Sequence, residues 1–245
     1  MKKLNVDLFK AQGYAVEEFC FDNRACVLVI PNHPRSDGKW LFKTEYFGAF
    51  PNFEFEMLKR GYYVAHMQST TRWCPEKDTV ARAAFCEYLT KSYGLSGRCM
   101  PVGLSCGGMQ AVYLAAKYPQ LIGALYLDAP VMNLLSCPCG MGLATNHLYE
   151  EFYQAMGITV SDLLNYRSHP VDFVDALIEN RIPVALVCGD SDTVVPYVEN
   201  GVVLAAAYRK TDIPFFEVLK PGCDHHPHGL DDLSELLAFA EKYYH

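Results

Sequence analysis

Three short stretches of this chain carry the residue types of nucleophilic catalysis. Gly103-Leu104-Ser105-Cys106-Gly107 reads G-x-S-x-G, GDSDTVVP (189–196) offers Asp190 and Asp192, and PGCDHHPHGL (221–230) sets His225, His226 and His228 beside Cys223 and Asp224. A serine hydroxyl is scarcely ionised at neutral pH. It attacks a carbonyl only when a base takes its proton, and the base works best when a carboxylate fixes its orientation and tautomer. The chain therefore holds a nucleophile, two candidate acids and three candidate bases for acyl transfer, provided that the fold brings them together.

The elements around these stretches are the ones such chemistry needs. Ser105 ends the apolar run RCMPVGLS (98–105), which reads as a buried strand, and precedes the alanine-rich helical stretch GGMQAVYLAAKYP (107–119). So tight a strand-to-helix turn strains the serine backbone and favours glycine at the flanking positions. The N–H of Cys106, at the start of that helix, is one expected donor to a developing oxyanion; its thiol reads as a small packing group. Asp190 and Asp192 follow the apolar strand PVALVC, whereas the histidines follow PFFEVLKP (214–221) and precede the last helix (230–244). Asp128, in LDAP, ends a further strand (122–130) and is a third contender for the acid.

Elsewhere, 17–31 reads as a hairpin around Asp22-Asn23, 62–68 as a strand, and 52–61, 77–94 and 197–210 as helices. Strands alternating with helices after an antiparallel start predict an α/β chain. Its sheet is mostly parallel with helices on both faces, and ligands bind at the carboxyl ends of the strands. The stretch 131–180 is too long for an ordinary connection and reads as a cap or lid inserted into a single domain spanning 1–245. Tyr46, Phe47, Trp73 and Cys74 are candidates for the cleft wall, as are His226 and His228. Glu199, in the segment after the aspartates, could reach the cleft from there.

Composition narrows the partners. The net charge is −7, and Lys and Arg are scattered, never more than two together, so no basic stripe offers a nucleic-acid site. The N-terminal MKKLNVDLFKAQGY lacks an apolar stretch and a small-residue cleavage site, and no apolar run nears the roughly 20 residues of a membrane span. A soluble, cytoplasmic protein acting on a small molecule is the expectation. Ten cysteines occur without a C-x-x-C pair, and several fall in predicted strands, so reduced core thiols are expected. Cys137 and Cys139 form the one close pair. Neighbouring residues of a single turn converge poorly on one ion, so neither a metal nor another cofactor is expected at Cys223 to His228.

On GKWLFKTEYFG, GLSCGG, LDAPV, GDSDTVVPYVEN and GCDHHPHGL, the chain resembles the α/β-hydrolase superfamily. More narrowly it resembles a bacterial group of serine esterases related to dienelactone-hydrolase and prolyl-oligopeptidase-like domains. The resemblance implies the α/β-hydrolase fold, with the insertion after the strand that this fold numbers sixth. It implies Asp192 as the acid, the second aspartate of a G-D-x-D-x-x-V-P signature, and leaves Asp190 to hold the turn. His225 is the implied base, in a G-x-G-H turn whose second glycine is here Asp224. The other oxyanion donor is expected in the loop after ACVLVIP, among Asn32, His33 and the turn from Gly38 to Trp40, with Trp40 preferred. Carboxyl-ester hydrolysis through an acyl-enzyme is the implied activity, with acylated carbohydrates or other small esters as substrates. A thioesterase or amidase, a lyase reusing the triad, and a non-catalytic ligand-binding protein are the alternatives.

Overall fold

A computed structural model of the chain describes residues 4–146 and 148–245. His147, within the predicted insertion, lies outside the described residues, as do residues 1–3. In chain order the elements are α1 (Asp7–Ala11), β1 (Ala15–Phe21), β2 (Arg24–Ile30), β3 (Trp40–Lys43), α2 (Asn52–Lys59), β4 (Tyr63–Met67), α3 (Glu76–Tyr93) and β5 (Met100–Leu104). There follow α4 (Cys106–Lys117), β6 (Leu125–Asp128), α5 (Tyr149–Met156), α6 (Val160–Leu164), α7 (Val174–Glu179), β7 (Val184–Gly189), α8 (Gly201–Tyr208), β8 (Phe215–Lys220) and α9 (Ser234–Tyr243).

The strands form one sheet in the order β1-β2-β4-β3-β5-β6-β7-β8. β1 and β2 are the expected hairpin: Asp22 and Asn23 both take positive φ (50° and 56°), the backbone that a two-residue turn between twisted strands requires. β2 also runs antiparallel to β4, and every pairing from β4 onward is parallel. Side chains alternate between two apolar layers. Cys26, Leu28 and Phe42 face α3, α4, α7 and α8, whereas Val27, Val29 and Leu41 face α1, α2 and α9. This is the α/β-hydrolase fold.

One strand departs from the reading of the sequence. WLFK is β3, lying between β4 and β5 in the middle of the sheet. Trp40 therefore starts a strand and does not close a loop. A third apolar cluster lies over the strand ends, where Trp73, Cys106, Met109 and Val195 meet Leu134, Cys137, Phe152 and Leu163 of the long connection between β6 and β7. That connection divides physically: α5 and α6 belong to this cluster, whereas Val174 and Leu177 of α7 join the layer against the sheet. Among the described residues, no helix is long and apolar enough to cross a membrane.

Candidate active site

Ser105 stands between β5 and α4 with φ 53° and ψ −119°, an uncommon conformation for a residue with a side chain. Its N–H donates to the Asp128 carbonyl (2.9 Å) and its carbonyl accepts from Val131 N–H (3.1 Å), so neighbouring backbone holds the strained turn. Gly103 is required by close approach, because a Cβ there would overlap the Gly107 carbonyl.

The structure brings Ser105, His225 and Asp192 together. His225 Nε2 lies 3.1 Å from Ser105 Oγ, and its Nδ1 lies 2.8 Å from Asp192 Oδ2. The other carboxylate oxygen, Asp192 Oδ1, accepts the N–H groups of Val194 (2.9 Å) and Val195 (2.7 Å). These bonds fix the carboxylate, so Nδ1 carries the hydrogen and Nε2 presents its lone pair to the serine hydroxyl.

The acid turn after β7 and the histidine turn after β8 are tied to each other. Asp190 Oδ1 accepts Gly222 N–H (2.7 Å), the turn-holding part expected of it. Asp224 Oδ1 accepts Thr193 N–H (2.8 Å) and His225 N–H (2.7 Å), and these donors hold its carboxyl below the usual range. Asp224 thus does not stand in for a glycine conformation. The left-handed residue of this turn is Gly222 (φ 66°), and Asp224 is the strut between the turns.

Asp128 has a different partner from the one its candidacy implied. Its Oδ1 lies 2.6 Å from His228 Nδ1, and its Oδ2 accepts Gly229 N–H (2.7 Å) and the Tyr126 hydroxyl (3.1 Å). A second buried aspartate–histidine pair therefore flanks the first, with the His225 and His228 ring centroids 4.8 Å apart. His226 is exposed, stacks on Phe50 (5.6 Å between centroids), and has its pKa lowered, first by partial burial and then by the two neighbouring imidazoles. Contrary to the expectation for a single turn, the three side chains converge: one potential ligand atom from each lies within 4.8 Å of the others.

The oxyanion loop also differs from expectation. Asn32, His33 and Gly38 precede β3, and the Gly38 carbonyl accepts Ser96 N–H (2.9 Å) ahead of β5. Trp40 is fully buried at the start of β3, its Nε1 donating to the Ser96 carbonyl (3.0 Å). All of these lie at the end of the parallel strands opposite Ser105. The loop that reaches Ser105 leaves the other end of β3, and its Tyr46 (φ 53°) lines the same pocket as Ser105 and Cys106. Burial, followed by the adjacent Cys106 thiol, raises the Tyr46 pKa and keeps its hydroxyl a donor. Burial likewise pushes Cys106 up to about 11, in keeping with a packing thiol.

Two cleft assignments are corrected. Trp73 is buried under the long connection, its Nε1 donating to Glu151 of α5 (2.9 Å), so it anchors that helix and lines no wall around Ser105. Glu199 accepts from Ser136 Oγ (2.5 Å) and Leu143 N–H (2.8 Å) and clamps the start of the connection. Cys74 is buried beside Thr79, and Phe47 stacks on Phe9 and His66. Cys137 is buried in the cluster above the strand ends, Cys139 meets the Tyr153 hydroxyl, and all ten cysteines are free thiols.

The pocket at Ser105 has a volume of about 330 Å³ and is walled by Tyr46, Phe50, Cys137, Leu148, Val194 and the three histidines. A larger, more polar pocket of about 630 Å³ adjoins it across Tyr46 and Arg72, with Glu45, Gln68, Ser69 and Glu151 in its lining. Arg72, absent from the sequence candidates, borders both pockets and pairs with Glu151. Its signal was position: it follows β4, at a carboxyl end of the sheet. Phe50 and Leu148 carried no comparable signal.

A family model described as the prolyl oligopeptidase family matches residues 76–245. Among solved structures, a puromycin hydrolase superposes with a TM-score of 0.71 at 18% identity, over 93% of this chain and 39% of that one. The acylaminoacyl peptidase of Pyrococcus horikoshii gives 0.71 at 13% identity, over 99% and 44%. Dipeptidyl peptidase 4 of Porphyromonas gingivalis gives 0.67 at 14%, over 94% and 35%. The chain thus spans less than half the length of each, and these likenesses concern the fold.

Proposed function

The chain belongs to the prolyl oligopeptidase family of serine hydrolases, and on that premise we propose that it cleaves the acyl bond of small aminoacyl or peptide-like amides through an acyl-enzyme. The observation that carries this reading is His225 held between Ser105 and Asp192. Ser105 Oγ attacks the carbonyl carbon while its proton passes to His225 Nε2, and Asp192 stabilises the imidazolium. The Cys106 N–H, first in α4 and without an acceptor inside the helix, and the Tyr46 hydroxyl are the donors to the oxyanion. Collapse of the tetrahedral intermediate sends the Nε2 proton to the leaving amine. Water, deprotonated by the same nitrogen, then releases the acid and restores Ser105.

Amides are favoured by the family and by the peptidase names of two of the structural neighbours. The polar pocket adds a local reason. Glu45 places a carboxylate in its lining besides the Arg72–Glu151 pair, accepting from Ser69 Oγ (2.5 Å) and Gln110 Nε2 (2.8 Å), a group that can meet the ammonium of a free amino terminus. The carboxyl-ester reading is the second, favoured by the apolar wall of the smaller pocket, because the same triad expels an alcohol more easily than an amine. Aminoacyl p-nitroanilides with free and acetylated amines, compared with p-nitrophenyl esters, separate the two. The amide reading expects measurable anilide turnover, reduced by acetylation; turnover confined to esters overturns it. A fluorophosphonate probe that labelled wild type and Ser105→Ala equally, or labelled neither, would remove the serine mechanism itself.

A further inference from the structure

We infer that His225, His226 and His228 form a binding site for a borderline divalent cation, with Zn²⁺ the best match, and that its occupation withdraws His225 from Ser105. Three imidazoles and no thiolate make up the set, a donor type that suits zinc. Their potential ligand atoms already lie within 4.8 Å of one another.

The two buried histidines are prepared as metal ligands usually are. His225 Nδ1 lies 2.8 Å from Asp192 and His228 Nδ1 lies 2.6 Å from Asp128, both carboxylates buried. A carboxylate on one ring nitrogen fixes the tautomer, orients the ring and makes the other nitrogen more basic, which is the carboxylate–histidine–metal arrangement. Both Nε2 atoms are left as donors. At a zinc–nitrogen distance of about 2.0–2.1 Å, two nitrogens of a tetrahedral site stand roughly 3.4 Å apart, so against separations within 4.8 Å the widest pair closes by at most about 1.4 Å. His226 is the member free to supply that movement, because it is exposed and held by stacking on Phe50. A fourth position remains for water or a substrate atom in the adjoining pocket.

Binding replaces waters of the hydrated ion with three imidazole nitrogens, and no electron is transferred. It has a consequence for turnover that rests on the proposed function: the Nε2 lone pair that accepts the Ser105 proton cannot also bind zinc. The ion and the acyl-transfer step therefore exclude each other.

Calorimetric titration of the metal-free, fully reduced protein with zinc chloride at neutral pH tests the site. One ion per chain is expected, with affinity falling at least about tenfold in His226→Ala and in His228→Gln. His226 is exposed, so its variant keeps the test interpretable if His228→Gln folds poorly. Cobalt(II) at the same site should show no thiolate charge-transfer band. Binding of undiminished affinity in both variants, or a thiolate band that Cys223→Ser abolishes, overturns the site. Turnover of wild type should fall with the same zinc dependence and return with EDTA, and each variant, compared with its own zinc-free rate, should need at least about tenfold more zinc for the same inhibition. Stoichiometric binding without inhibition overturns the exclusion. If no substrate is ever turned over, the proposed function fails while the calorimetry still decides the site.

Discussion

Two aspartate–histidine pairs sit side by side, built from the same parts and placed to different ends. Asp192 and Asp128 each hold a histidine Nδ1 at short range (2.8 and 2.6 Å) and each accept further hydrogen bonds, from two backbone N–H groups in one case and from Gly229 N–H and the Tyr126 hydroxyl in the other. The difference lies beyond the ring. His225 Nε2 faces Ser105 at 3.1 Å, whereas the His228 ring is packed against Phe50, His225 and His226. A buried carboxylate prepares an imidazole as a base, but what stands at the far nitrogen decides whether it is used. The second pair instead fastens the histidine turn to the end of β6, because Asp128 holds both His228 and the next residue.

The sharpest way to break this contrast is to neutralise each carboxylate in turn. Asp192→Asn is expected to lower kcat by about 10⁴, since it removes the charge that stabilises the imidazolium and can impose the wrong tautomer. Asp128→Asn should keep kcat within about tenfold while costing about 3 kcal/mol or more of stability, because a buried, multiply bonded charge is lost. Turnover of each variant and its urea midpoint give both answers. Equal losses of kcat would mean that the two pairs work as one unit.

A smaller effect is expected at the strut between the turns. Asp224 is exposed, so Asp224→Ala should scarcely move the unfolding midpoint, yet it frees the N–H groups of Thr193 and His225 and loosens the register of acid and base. A drop in kcat of about tenfold, with KM little changed, is the expected reading, by analogy with the cost of small misplacements in reacting geometry. An unchanged kcat would show that the Asp190–Gly222 bond and the Ser191 N–H to Cys223 carbonyl bond (3.1 Å) suffice to hold the turns together.

His66 extends the contrast to an imidazole without a carboxylate on its ring. Its Nδ1–H donates to the Lys43 carbonyl (2.8 Å), and burial pushes its pKa from 6.5 down to about 4. The folded value lies below the unfolded one, so below pH 6.5 the unfolded chain binds the proton more readily. Stability is fully present above that pH and is lost as pH falls toward 4, by about 3 kcal/mol at 1.36 kcal/mol per pKa unit. Urea midpoints of wild type and His66→Asn across this window should converge as the acid side is approached. Parallel curves would remove His66 as the cause.

What could be read from the sequence follows from how locally each feature is determined. The elbow at Ser105 and the aspartates after β7 are set by a rare residue type at the end of an apolar strand, and both stand where that rule puts them. β3 escaped because WLFK is only four residues long and buried on both faces, which leaves no alternation to detect. Missing that strand displaced the oxyanion loop to the wrong end of the sheet and made Trp40 a candidate in place of a core residue. The pairing of His228 with Asp128 spans one hundred residues and exists because the β6-β7-β8 order brings their turns together. No local pattern encodes it. Trp73 and Glu199 were near the correct region, but their polar atoms are spent on holding the β6-to-β7 connection.

Seven of the ten free thiols are buried, and burial raises the pKa of Cys26, Cys74, Cys99, Cys106, Cys137 and Cys188. Only the thiolate attacks, so while folded the protein keeps these sulfurs chemically silent. Opening the chain returns them to their ordinary acidity all at once, and in air they can join in pairings that refolding cannot undo. For these buried thiols, the rate of loss under oxidising conditions is then set by the height of the unfolding barrier and not by the depth of the folded minimum.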